Sequence, residues 1–90
     1  MSTKKIIVTG KVQGVFFRKT AKQQADTMGI LGSIENRPDG SVLIYAYGDA
    51  EPLQRFIEWC KQGSEGAKVA QVIATDIAET KEYRWFEIIG

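Results

Sequence analysis

The chain has no histidine, and its 90 residues include a single cysteine, Cys60. The commonest general acid–base side chain is therefore missing. An intrachain disulfide is impossible, and a zinc or iron centre built on His or Cys clusters is excluded. Catalysis has to use Asp, Glu, Lys, Tyr, or positioning alone. An excess of either charge is lacking too: 12 Lys and Arg against 11 Asp and Glu leave a formal net charge of +1. That balance provides no broad footprint for duplex DNA or an anionic membrane, so any anion site must be local. No apolar run approaches the roughly 20 residues of a membrane span. Met1 to Lys5 leads into a short strand and not into the apolar stretch of a signal peptide. The expectation is one domain over residues 1–90, monomeric and cytoplasmic, with neither membrane nor nucleic acid among its partners.

What the chain does have is a strand-to-helix turn dense in useful chemistry. Lys4 to Thr9 reads as a β-branched strand. Phe17, Ala21, Ala25 and Met28 fall near helical spacing, with Lys19, Lys22, Gln23 and Asp26 on the other face and Gly29 as terminator. Between strand and helix runs Gly10-Lys11-Val12-Gln13-Gly14-Val15-Phe16-Phe17-Arg18. Such a turn can offer backbone N–H groups, a helix N-terminus and a guanidinium to one anion. A cation on the first turn of a helix is electrostatically misplaced unless an anion joins it. Gly14 lets the backbone approach a ligand, or simply punctuates the loop. The run is not a nucleotide-binding P-loop, because Val15 and Phe16 stand where Lys-Ser/Thr would be required.

Further along, Pro38-Asp39-Gly40 is a hairpin turn between strand-like runs, so residues 32–48 are expected to form a hairpin. Asp49 is expected to cap a second helix whose stripe is Leu53, Phe56, Ile57 and Cys60, ended by Gly63. Residues 67–77 read as another strand. A charged stretch, Glu79 to Glu82, precedes a last strand from Arg84 to Ile89. The order β-α-β-β-α-β plus a terminal strand predicts an α+β fold. It is a ferredoxin-like split βαβ sandwich, an antiparallel sheet with two helices on one face. Asn36 is unusual inside a strand. On its own it reads as a locally hydrogen-bonded polar residue, or alternatively as an amide that orients a water. Cys60 reads as a buried small hydrophobe. Tyr45 and Tyr47 could imitate the stacking platform of an RNA-recognition module, but the first strand supplies no aromatic partner.

The Gly10–Arg18 run, with Thr20, Ala25, Met28-Gly29-Ile30, Gly32, Asn36 and Pro38-Asp39-Gly40, resembles the acylphosphatase family. The likeness continues through Phe56, Trp59, Gly63, Ala67-Lys68-Val69 and Phe86-Glu87-Ile88, so it spans nearly the whole chain. The resemblance implies cofactor-free, metal-independent hydrolysis of acyl phosphates, with a small acyl phosphate and inorganic phosphate as the partners. It implies that Arg18 binds the phosphate with backbone amides of Gln13, Gly14, Val15, Phe16, Phe17 and Arg18, and that Asn36 positions the attacking water. Alternatives are a non-catalytic phosphate or carbamoyl phosphate binding module, and an RNA-binding domain. One departure is Ser33, where the family often carries Trp. By strand alternation Ser33 should lie opposite Ile34, on the outer face.

Overall fold

The computed structural model describes residues 1–78 and 82–90. Most of the charged stretch read at Glu79 to Glu82 lies outside them. The β-branched and alternating runs form β1 (Ser2–Lys11), β2 (Leu31–Asn36), β3 (Val42–Gly48), β4 (Lys68–Ile77) and β5 (Phe86–Ile88). The two segments of helical periodicity form α1 (Phe17–Met28) and α2 (Ala50–Gln62). The strands lie in one sheet in the order β4-β1-β3-β2-β5.

Period-two alternation decides the faces. Ile6, Val8, Ile34, Val42, Ile44 and Ala46 are fully buried against the helices. The odd-numbered neighbours, among them Ile7, Leu43 and Tyr45, stay partly exposed on the outer face. The helices return Phe17, Ala21, Ala25, Leu53, Phe56 and Cys60 to the same core. Three phenylalanines anchor it. Phe56 meets Phe86 edge-on with ring centroids 5.8 Å apart, and Phe17 lies 5.2 Å from Trp59. Each such ring contributes roughly 1.5–3 kcal/mol by leaving water. Because Phe17 is the first residue of α1, its burial also fixes where the neighbouring Arg18 begins.

Three details differ from the sequence reading. β1 starts at Ser2 and runs to Lys11 because it lies inside the sheet, paired with β3 on one side and β4 on the other. Near its end the β1–β4 register shifts between Thr9 and Gly10. Gly10 has φ 116°, and a Cβ there would lie 2.2 Å from the Lys68 carbonyl oxygen, so only glycine fits the bulge. The terminal strand is shorter than expected and runs parallel to β2, which makes the sheet mixed. Asp49 occupies the N-cap position of α2, yet its side chain makes no capping hydrogen bond. The helix opens instead with the Leu53 N–H donating to the Asp49 carbonyl at 3.0 Å. Ser33 does lie on the outer face, between Tyr45 and Glu87, and those neighbours leave it buried.

Candidate active site

The turn joining β1 to α1 is a backbone shaped around open space. Gly14 has φ 74°, and a Cβ built there would meet nothing within 4 Å. Phe16, the N-cap residue, is held at φ 60° and ψ 24°, a left-handed conformation. For a bulky side chain that costs on the order of 1–3 kcal/mol. No backbone N–H from Gln13 to Lys19 donates to another of the described residues. Orphan donors are normal at a helix start. Here the two left-handed residues lengthen the unpaired run into the preceding loop.

The loop's carbonyls, by contrast, are held from outside. The Ser64 hydroxyl donates to the Val15 carbonyl at 2.8 Å. The Phe16 carbonyl accepts from the Thr20 N–H at 3.0 Å and its hydroxyl at 2.9 Å. Gln13 contributes its side chain as well as its place in the loop. Its Nε2 donates to the carbonyls of Arg37 and Ser41, at 2.8 and 2.9 Å. Those carbonyls belong to the β2–β3 turn, immediately after Asn36. The turn is itself stiffened by the Asp39 carboxylate, which accepts from the Ser41 hydroxyl at 2.6 Å and its N–H at 2.9 Å. Those two hydrogen bonds, the hydroxyl's foremost, hold the Asp39 carboxyl below its ordinary range.

The strap places the end of β2 beside the loop, and a cleft of about 440 Å³ lies between them. Of the residues singled out in the sequence, Gly14, Phe16, Phe17, Arg18 and Asn36 line it together. Gln13 and Val15, also named in the loop, are not among its lining residues. Val12, Lys19 and Ile88 also line it and were not expected there. No acidic residue lines the cleft, and none lies in the first turn of α1. Arg18 is half-buried, and its guanidinium makes no ion pair or hydrogen bond among the described residues. The Asn36 Oδ1 is buried with no hydrogen-bond partner. Its backbone is pinned, the N–H donating to the Gly90 main-chain oxygen at 2.7 Å. A buried amide oxygen left alone is costly, and it is satisfied when a water or ligand donates to it. Unpaired amides, an unpaired guanidinium, a helix N-terminus and a waiting acceptor suit a compact oxyanion with one ordered water beside it.

Cys60 is fully buried on α2, and burial pushes its thiol well above the usual range, so it is chemically inert. Tyr47 pairs with Tyr83 at 6.4 Å on the outer face. No described helix is long and apolar enough to cross a membrane.

Comparison with known proteins places the chain among the acylphosphatases. The acylphosphatase family model matches residues 4–88. A curated acylphosphatase of Marinobacter nauticus is 41% identical over 81 residues, covering 90% of this chain and 88% of its own length. The crystal structure of acylphosphatase from Bacillus subtilis superposes with a TM-score of 0.96 at 38% identity, over 100% of both chains. An acylphosphatase from Coxiella burnetii gives a TM-score of 0.93 at 30% identity, over 98% of this chain and 92% of its own.

Proposed function

The chain belongs to the acylphosphatase family and hydrolyses acyl phosphates; from that premise we propose that Arg18, the Gln13–Arg18 amides and Asn36 carry the reaction without a metal ion. What supports the assignment is a cleft whose lining brings together Arg18 with its unpaired guanidinium, the loop residues Gly14, Phe16 and Phe17 with unengaged amides, and Asn36, whose Oδ1 has no hydrogen-bond partner. Arg18 and the amides neutralise the phosphoryl oxygens. Asn36 Oδ1 accepts a hydrogen bond from a water and leaves that water's lone pair toward phosphorus. The new O–P bond forms as the bond to the acyl oxygen breaks, and the carboxylate departs with the electron pair. A carboxylate is a good leaving group, so the absence of histidine is no obstacle. A neutral amide is a poor base, so the water's proton passes to a phosphate oxygen of the substrate itself. Catalysis then reduces to charge stabilisation and alignment, which dominate phosphoryl transfer generally.

The rest of the reading is a small-molecule enzyme acting as a cytoplasmic monomer, with inorganic phosphate as product. The near-zero net charge and the buried single thiol favour it. The test is hydrolysis of acetyl phosphate in EDTA with inorganic phosphate as competitor. Turnover should persist in EDTA, and phosphate should compete. The Asn36→Ala variant should keep the phosphate inhibition constant while kcat falls on the order of 100-fold, as for a misplaced reactant. Phosphate binding without turnover would make the chain a binding module. Loss of phosphate affinity in Asn36→Ala would refute the division of roles.

A further inference from the structure

The Gln13–Arg18 loop and Asn36 come from segments far apart in the chain, so something has to set the distance between them. Gln13 stands at that junction. It follows Val12, whose side chain is buried in the core, so its backbone starts from a fixed point. Its Nε2 donates to the carbonyls of Arg37 and Ser41, at 2.8 and 2.9 Å. Both partners are acceptors, so both amide hydrogens are committed and the nitrogen must lie between them. Asn36 pairs with Val42 at the last rung of the β2–β3 hairpin. Arg37 directly follows Asn36, and Ser41 directly precedes Val42. The amide therefore grips both strands one residue beyond the rung that carries Asn36. The same two carbonyls also accept backbone hydrogens, Arg37 from the Gly40 N–H at 3.1 Å and Ser41 from the Arg37 N–H at 2.8 Å. The turn thus closes without Gln13, and what the side chain adds is a link from the turn to the loop.

Resting on the function proposed above, we infer that Gln13, through its side chain, is a positioning residue: it sets where the Asn36 amide, and with it the attacking water, stands relative to the bound phosphate. The shape of the loop is held elsewhere, by Ser64 on the Val15 carbonyl and Thr20 on the Phe16 carbonyl. Phosphate binding by Arg18 and the loop amides therefore does not depend on the Gln13 side chain. Gln13 does not line the cleft, so it acts through Asn36 and not on the substrate. Attack on phosphorus is sensitive to such placement: a misplacement of about 1 Å costs on the order of 100-fold. A brace that served stability alone would leave no such split between binding and turnover.

The experiment measures kcat for acetyl phosphate and the phosphate inhibition constant in the wild type, Gln13→Met, Asn36→Ala and the double variant, with folding verified by circular dichroism melts. Methionine keeps an unbranched, flexible side chain and removes both donors. Gln13→Met should lower kcat on the order of 10- to 100-fold and leave the phosphate inhibition constant unchanged. In the Asn36→Ala background the same substitution should cost no further turnover, because the group it positions is gone. Gln13→Glu supplies a second readout. An ionised carboxylate cannot donate to the two carbonyls, whereas a protonated one regains a single donor. The kcat of Gln13→Glu relative to wild type should therefore climb as pH falls through the carboxylate range. Full turnover in Gln13→Met, losses that multiply with those of Asn36→Ala, a phosphate inhibition constant that rises as kcat falls, or a flat pH ratio for Gln13→Glu overturns the inference. Absence of acetyl phosphate hydrolysis in the wild type would instead remove the proposed function itself, so the two failures are distinguishable.

Discussion

Replacing Arg18 with Gln should raise the melting temperature in phosphate-free buffer while nearly abolishing turnover. Arg18 is the second residue of α1, at the partially positive end of the helix, with no acid in the first turn and no ion pair. A cation there costs about 0.3–1 kcal/mol. Arg and Gln have nearly equal helix propensity, so little else changes. For a chain of this length 1 kcal/mol corresponds to about 4–8 °C, and the variant should melt about 1–8 °C higher. Phosphate should reverse the order. At a hundredfold excess over its dissociation constant a ligand adds about 2.7 kcal/mol to the native state. The wild type gains that increment and the variant, lacking the guanidinium, does not. Turnover of acetyl phosphate should fall on the order of 100- to 1,000-fold, as when one charge-stabilising donor is lost. Thermal melts by circular dichroism, with and without phosphate, read both effects. A lower melting temperature for Arg18→Gln in plain buffer, or an equal gain from phosphate in both proteins, would refute the placement of Arg18 as an anion ligand.

Two other perturbations probe the scaffold behind the site. Ser64→Ala removes the donor to the Val15 carbonyl; stability should drop by about 0.5–1.5 kcal/mol and the phosphate inhibition constant should rise, with Ser64→Thr restoring both in urea melts and competition assays. Asp39 has a folded-state pKa below its ordinary value of 3.8. Its stabilising contribution is therefore complete above the unfolded value and disappears as pH falls through the lower folded one. Denaturation of wild type and Asp39→Ala across that acid range should show their stability gap closing as pH drops, and a gap that widens instead would contradict the two Ser41 hydrogen bonds.

Local features were legible and distant pairings were not. The limits of α1 follow from Phe17, Ala21, Ala25 and the terminating Gly29, all properties of one helical turn after another. The hairpin follows from Pro38-Asp39-Gly40. Arg18 stands out because a cation at a helix start with no acid in its first turn contradicts local electrostatics. Asn36 could be read as bland from its neighbours, and its oddity appears in three dimensions, where burial leaves its oxygen alone. Gln13 and Ser64 were harder still: their partners lie 24, 28 and 49 residues away, and polar residues in loops have no periodic signature. The parallel pairing of β5 rests on three residues at a sheet edge, too short to declare its direction. The β-branched core of β1 was visible, but its full length was set by two neighbours that the strand alone does not specify.

The Gln13 amide group, clasped by two carbonyls from a different part of the backbone, makes chemical competence a late event in the life of the chain. The Gln13–Arg18 loop and Asn36, proposed above to hold the phosphate and the water, reside on separate segments. Neither local helix formation nor hairpin closure by itself brings them to working distance, and such nonlocal contacts are the slow ones to form. Newly made molecules thus become active only once their tertiary architecture has closed, and recovery of turnover serves as a built-in reporter of finished folding.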